Sequence, residues 1–244
     1  TEVFSSFGSI PNPQSSAAAP NITNMTGIFI ILPQITDDFL RRKPHNAFVT
    51  ITEKYGAATM KTALILHGVC PEEEFFFSKR PSPSNAWWLP WLQQQFLRAG
   101  WQCQTPELPH PYRPSYAEWK ETFEWFKPQK LSLLVGHGAG AGFAVKYMQE
   151  HRLRLEKLLL VAPWLDPERE FDDFLQTALH PAALNNIGEV HLIFSEDDKE
   201  AERQTKDRLL AAYPQIVFHD YLNFGHFTAG KTGRSFQELW NLCR

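Results

Sequence analysis

The sequence predicts a three-layer α/β protein, with a mostly parallel central sheet flanked by helices. Three observations carry this reading. Short apolar runs such as 62–66 and 131–135 are continuous rather than alternating, the pattern of strands covered on both faces. Segments with helical spacing separate those runs, so successive strands are joined by helical crossovers. The third run then breaks into Gly136-His137-Gly138-Ala139-Gly140, a glycine-rich turn from strand to helix.

Taken in order, 62–66 is the first strong strand. A helix over 87–98 follows, with Trp88, Trp91, Leu92 and Phe96 on one side and Gly100 as its stop. The second strand is 101–105. The helix over 116–126 has Trp119, Phe123 and Phe126 on its apolar face. The third strand, 131–135, leads through the glycine turn into a helix over 141–151. Strands at 157–162 and 190–194, a helix over 200–212, a short strand at 216–219 and a closing helix over 235–242 complete the pattern. The stretch 163–188 interrupts this rhythm and is too long for an ordinary turn. Phe171, Phe174, Leu175 and Leu179 fall at helical spacing there, which predicts a short lid segment.

Residues 1–59 read differently from 60–244. The first twenty are rich in Ser, Ala and Pro and are expected to be flexible. Two β-like runs, 27–32 and 47–52, suit an extra hairpin at a sheet edge, or strands that pair with a neighbour. Equally, Met60 suits the opening of a compact domain to which the preceding residues are an appendage. The division is therefore an N-terminal extension over 1–59 and an α/β domain over 60–244.

At 244 residues the chain is long enough for one large core, and 43% hydrophobic with 21% charged residues is ordinary for a globular protein. Eight tryptophans and nineteen phenylalanines are first of all core material. A formal charge of -3 offers no basic field for nucleic acid or an anionic membrane. No apolar stretch approaches the ~18 residues of a membrane span. The first twenty residues lack the basic and apolar regions of a signal peptide, so the two Asn-x-Thr matches at Asn21 and Asn24 are expected to be chance. Cys70, Cys103 and Cys243 are too few and scattered for a disulfide framework or zinc site, and they suit a reducing cytoplasm.

The chemistry gathers at strand ends, where α/β sheets place their sites. Residues 136–140 have the outline of the nucleophile elbow, G-x-S-x-G, with Gly138 at the nucleophile position. Glycine has nothing to attack with, and it relaxes the backbone strain that such a turn imposes. The same turn could cradle a phosphate, although it has no Lys-Ser/Thr ending and follows the third strand rather than the first. After the fifth strand comes Ser195-Glu196-Asp197-Asp198. An acid there can orient an imidazole, whereas an Asp pair alone is a common turn or helix cap. After the last strand, Asn223-Phe224-Gly225 precedes His226. A lone histidine is usually structural, but elbow, Asp, His is the chain order of this class of triad. After the first strand, His67-Gly68-Val69 lets an amide face the site, so that the Val69 and Ala139 amides would form an oxyanion hole. His67, Gly68 and His137 are expected to line the substrate pocket. Cys70 is the nearest thiol, a bystander or a substitute nucleophile.

Together with Leu64-Ile65-Leu66-His67-Gly68, Trp88-Leu89-Pro90-Trp91-Leu92, Pro106-Glu107-Leu108-Pro109, Trp119 and Leu160-Val161-Ala162-Pro163, these residues resemble the small α/β-hydrolase-fold serine hydrolase family that includes retinoblastoma-binding protein nine and bacterial relatives. The resemblance covers roughly residue 60 to the C-terminus. It implies an α/β-hydrolase fold, with the nucleophile position on Gly138, the acid on Asp198 and the base on His226. Asp198 is preferred over Asp197 because the family acid stands three residues after the serine, here Ser195. No metal or organic cofactor is implied, and the nine histidines show no ligand spacing. Gly138 then leaves two readings. In one, the chain is an inactive member that keeps its pocket to bind a small acyl-type ligand or a protein partner. In the other, glycine replaces the serine of an active carboxylic-ester hydrolase.

Overall fold

A computed structural model of the chain describes residues 60–244. The β-like runs 27–32 and 47–52, and the division at residue 60, lie outside what it describes or at its edge. Six strands, β1 (Thr62–Leu66), β2 (Gln102–Gln104), β3 (Leu133–His137), β4 (Leu155–Val161), β5 (Ile187–Ser195) and β6 (Val217–Tyr221), form one sheet in the order β2-β1-β3-β4-β5-β6. All neighbouring pairs are parallel. Seven helices accompany them: α1 (Glu72–Phe75), α2 (Leu89–Arg98), α3 (Tyr116–Trp125), α4 (Ala139–His151), α5 (Glu200–Ala212), α6 (Ala229–Thr232) and α7 (Gln237–Cys243). Among the described residues no helix is long and apolar enough to cross a membrane.

The continuous apolar runs divide by the strand period of two. Leu64, Leu66, Leu134, Leu158 and Leu160 face one helical layer with Trp119, Phe123, Phe143, Tyr147 and Leu209. Ala63, Ile65, Leu133, Val135, Leu159 and Val161 face the other, with Trp88, Leu92, Phe96, Phe236 and Leu239. The inner strands β1, β3, β4 and β5 are thus largely buried on both sides and carry apolar runs, whereas edge strand β2 buries only Cys103 between Gln102 and Gln104, and edge strand β6 is mostly exposed.

The sheet order reverses at β1, since β2 lies on one side of it and β3 on the other. The carboxyl ends of β1 and β3 are adjacent, with Leu66 paired to Gly136. That switch point is where the loop after β1 and the glycine turn after β3 converge. The turn is sharper than the sequence predicts. β3 runs on to His137 and α4 starts at Ala139, leaving Gly138 alone between them. The flanking glycines make this tightness possible. A Cβ on Gly136 would sit 2.5 Å from Ala141 Cα, and one on Gly140 only 2.3 Å from the His67 carbonyl oxygen.

The stretch 163–188 corrects one expectation. It flanks the site, since Trp164, Glu168 and Glu170 line a cavity there, but it is not helical apart from a short 3₁₀ turn at Pro181–Leu184. Positive φ at Asp166, Arg169 and Asp172 interrupts any helix. The Asp166 carboxylate accepts the amides of Glu170 and Phe171, folding the chain into a turn. Phe174 and Leu175 are buried in the core, so their spacing reflects packing.

Candidate active site

Gly138 is the half-turn between β3 and α4, with φ 56° and ψ −120°. Its amide donates to Val161 O at 2.9 Å, and its carbonyl accepts from the Gly142 and Trp164 amides, each at 3.1 Å. The turn is thereby locked from both sides. A Cβ built on Gly138 points at the His226 imidazole, 3.0 Å from Nε2. Behind the ring, His226 Nδ1 lies 3.1 Å from Asp198 Oδ2 and 3.2 Å from Oδ1. Asp198 is buried, and its Oδ1 also accepts the Lys199 amide at 2.8 Å. The three positions therefore meet in a line: the 138 position, imidazole, carboxylate.

The two adjacent aspartates do different work. Asp197 accepts from Ser195 Oγ at 2.6 Å and from the Gly225 amide at 2.7 Å. Those bonds, the Ser195 one foremost, and the nearby Lys231 hold its carboxyl down to about 2. Asp197 ties the end of β5 to the loop that carries His226, leaving Asp198 to face the ring.

Val69 and Ala139 line the same cavity of about 300 Å³ as His226. Ala139 is the first residue of α4, so the helix leaves its amide unpaired. Gly68 keeps that amide open, since a Cβ there would lie 3.4 Å from Ala139 N. A second cavity of about 760 Å³ shares Gly68, Val69 and Trp87 with the first and reaches Cys70, Phe75 and Trp91. Cys70 faces that larger cavity, away from the elbow. Burial, with Glu74 and Glu107 adding, pushes its thiol up to about 11. It is protonated at neutral pH and unsuited to be a nucleophile.

The two histidines expected in the pocket are mainly struts. His67 is wholly buried and does not line the cavity beside His226. Its Nε2 accepts the Leu108 amide at 2.8 Å, which leaves the proton on Nδ1 to donate to Gly68 O at 2.7 Å. A trans peptide directs its N–H opposite to its C=O, so holding Gly68 O aims the Val69 amide the other way. His137 lines the small cavity but is 1% exposed, and its Nε2 donates to the His226 carbonyl at 2.8 Å. Desolvation, with the nearby His226 ring adding, holds it down to about 3, so it stays neutral.

One residue was missed. Glu202, in the first turn of α5, is buried with Oε1 3.7 Å from His226 Nδ1, and its Oε2 has no partner among the described residues. Burial pushes its carboxyl up, and Asp198 adds to this against the opposing His226 charge. Its position four residues after Asp198, in the first turn of the helix that follows, was the available signal.

A parallel α/β sheet with an elbow after β3, an acid after β5 and an imidazole after β6 defines the α/β-hydrolase class. The chain belongs to the serine hydrolase family, whose model matches residues 81–242. Among solved structures it is similar to the YdeN gene product of Bacillus subtilis, with 21% identity, a TM-score of 0.64, and coverage of 75% of this chain and 97% of that one. A YdeN-like hydrolase from Pectobacterium atrosepticum follows, with 18% identity, a TM-score of 0.54, and coverage of 80% and 91%. Serine hydrolase CCSP0084 from Cycloclasticus zankles is 16% identical, with a TM-score of 0.52 and coverage of 76% and 89%. These likenesses establish the fold. No curated protein sequence matches the chain.

Proposed function

We propose that this chain is a serine-hydrolase-family protein that binds a small acyl-type ligand at the elbow without forming an acyl-enzyme. The observation that carries this reading is Gly138. What supports it is that the His226 imidazole, backed by Asp198, faces position 138, where glycine supplies no hydroxyl to form the bond. Its absence is decisive in magnitude, because in subtilisin loss of the serine lowers kcat by about 2 × 10⁶. The paired Asp198 and His226 can still orient a polar ligand group, and the Val69 and Ala139 amides can still donate to a carbonyl oxygen. All three cysteines are free, which supports a reducing compartment such as the cytoplasm.

The test uses the unmodified chain and Gly138→Ser side by side, with short acyl esters and a serine-directed phosphonate. The unmodified chain is expected to show neither turnover above background nor labelling, and Gly138→Ser to gain both. Turnover or labelling of the unmodified chain overturns the proposal. A silent but folded Gly138→Ser supports a site rebuilt for binding alone.

A further inference from the structure

We propose that Asp198, Glu202 and His226 form a binding site for a divalent cation of the zinc, cobalt(II) or manganese(II) kind. The inference rests on geometry rather than on the missing nucleophile, so it stands or falls separately from the function proposed above. One ligand atom from each residue lies within 4.8 Å of the others. His226 Nδ1 is 3.1 Å from Asp198 Oδ2 and 3.7 Å from Glu202 Oε1. Donors ~2.0–2.1 Å from a tetrahedral ion stand roughly 3.3 Å apart, so these spacings bracket the edge of such a polyhedron. One imidazole nitrogen with two carboxylates suits a borderline metal better than an all-oxygen calcium or magnesium site.

Glu202 supplies the independent indication. It is 5% exposed and lines the cavity beside His226, with Oε2 lacking a partner among the described residues. A second carboxylate buried beside Asp198 is costly unless a proton or a cation compensates it. Glu168, Glu170 and Glu200 line the same cavity, with Lys199 the opposing charge, so the approach favours a cation.

Binding has a defined proton balance. The ion takes the Nδ1 lone pair, the hydrogen of the neutral ring moves from Nδ1 to Nε2 by exchange with solvent, and any proton on Glu202 is released. The imidazole is then neutral with its hydrogen on Nε2, facing Gly138. Loading therefore converts His226 from a base into a hydrogen-bond donor toward the ligand position.

The experiment titrates the full, EDTA-stripped chain with zinc, cobalt(II) or manganese(II) chloride by calorimetry, with cobalt absorption as a second readout. One equivalent is expected for at least one ion, with binding at least tenfold weaker in Glu202→Gln. His191→Gln, at the separate His191, His219 and Glu189 cluster, is expected to bind as before. If Glu202→Gln fails to fold, Asp198→Asn tests the same ion through its other carboxylate. Three results overturn the proposal: no saturable one-equivalent binding of any of the three ions, undiminished binding when a folded carboxylate variant is tested, or loss of binding in His191→Gln.

Discussion

The imidazole Nε2 of His226 stands 3.0 Å from the point where a side chain on Gly138 would begin. With φ 56° and ψ −120°, position 138 is a conformation that an L-residue adopts only under strain. Gly138→Ala should therefore destabilise the fold by about 1–3 kcal/mol, with a small displacement of the ring. Gly138→Ser should lose a similar amount while acquiring a nucleophile. Gly230→Ala is the comparison: nothing lies within 4 Å of its Cβ, and it should be neutral or stabilising by about 0.4–1 kcal/mol. Urea unfolding of the three variants checks this, and an unaltered midpoint for Gly138→Ala would show that the turn can relax.

The histidine loop is anchored within the helical layer that its own Phe227 joins. Trp88 is wholly buried, and its Nε1 donates to Phe227 O at 2.9 Å, the residue next to His226. Trp88→Phe keeps most of the apolar contact but leaves Phe227 O with Thr232 Oγ1 as its donor at 3.2 Å, with an expected loss of about 0.5–1.5 kcal/mol. Trp88→Ala also opens a cavity and should lose about 3–5 kcal/mol. If Trp88→Phe melts like the unmodified chain, the Thr232 hydroxyl suffices for the Phe227 carbonyl.

Acid should weaken the fold through its buried histidines. Burial lowers His67 below its usual value, against the opposing effects of its Gly68 bond and Glu107. The unfolded chain takes up that proton near pH ~6.5, whereas the folded one resists. The unfolded state thus binds more protons in this window, and stability declines as pH falls below about 6.5. His137, held down to about 3, acts in the same direction. Urea midpoints between pH 7 and pH 4.5 measure the slope, and it should flatten in His67→Gln. An equal slope in that variant would assign the acid sensitivity to other groups.

Much of the architecture was legible because strand and helix leave different periods. The helix over 200–212 has the bounds read from the sequence. The strand 62–66 does too. The other elements shift by a few residues at their ends, where capping and neighbouring strands decide. The error at 163–188 has a physical source: Phe174 and Leu175 are spaced as on a helix, but Asp166 and the positive φ values form turns instead. The roles of His67 and His137 were illegible for a related reason. A histidine beside a glycine turn reads the same whether it faces a ligand or braces a backbone carbonyl.

From the sequence alone followed the parallel sheet, the glycine turn, and the places of Gly138, Asp198 and His226 after the third, fifth and last strands, because apolar runs and chain order are local properties. The tertiary structure decided which histidines are struts and that Glu202 lies buried against His226. Those depend on how α5 and the loop after β6 pack across the sheet, contacts between residues far apart in the chain that no local spacing encodes.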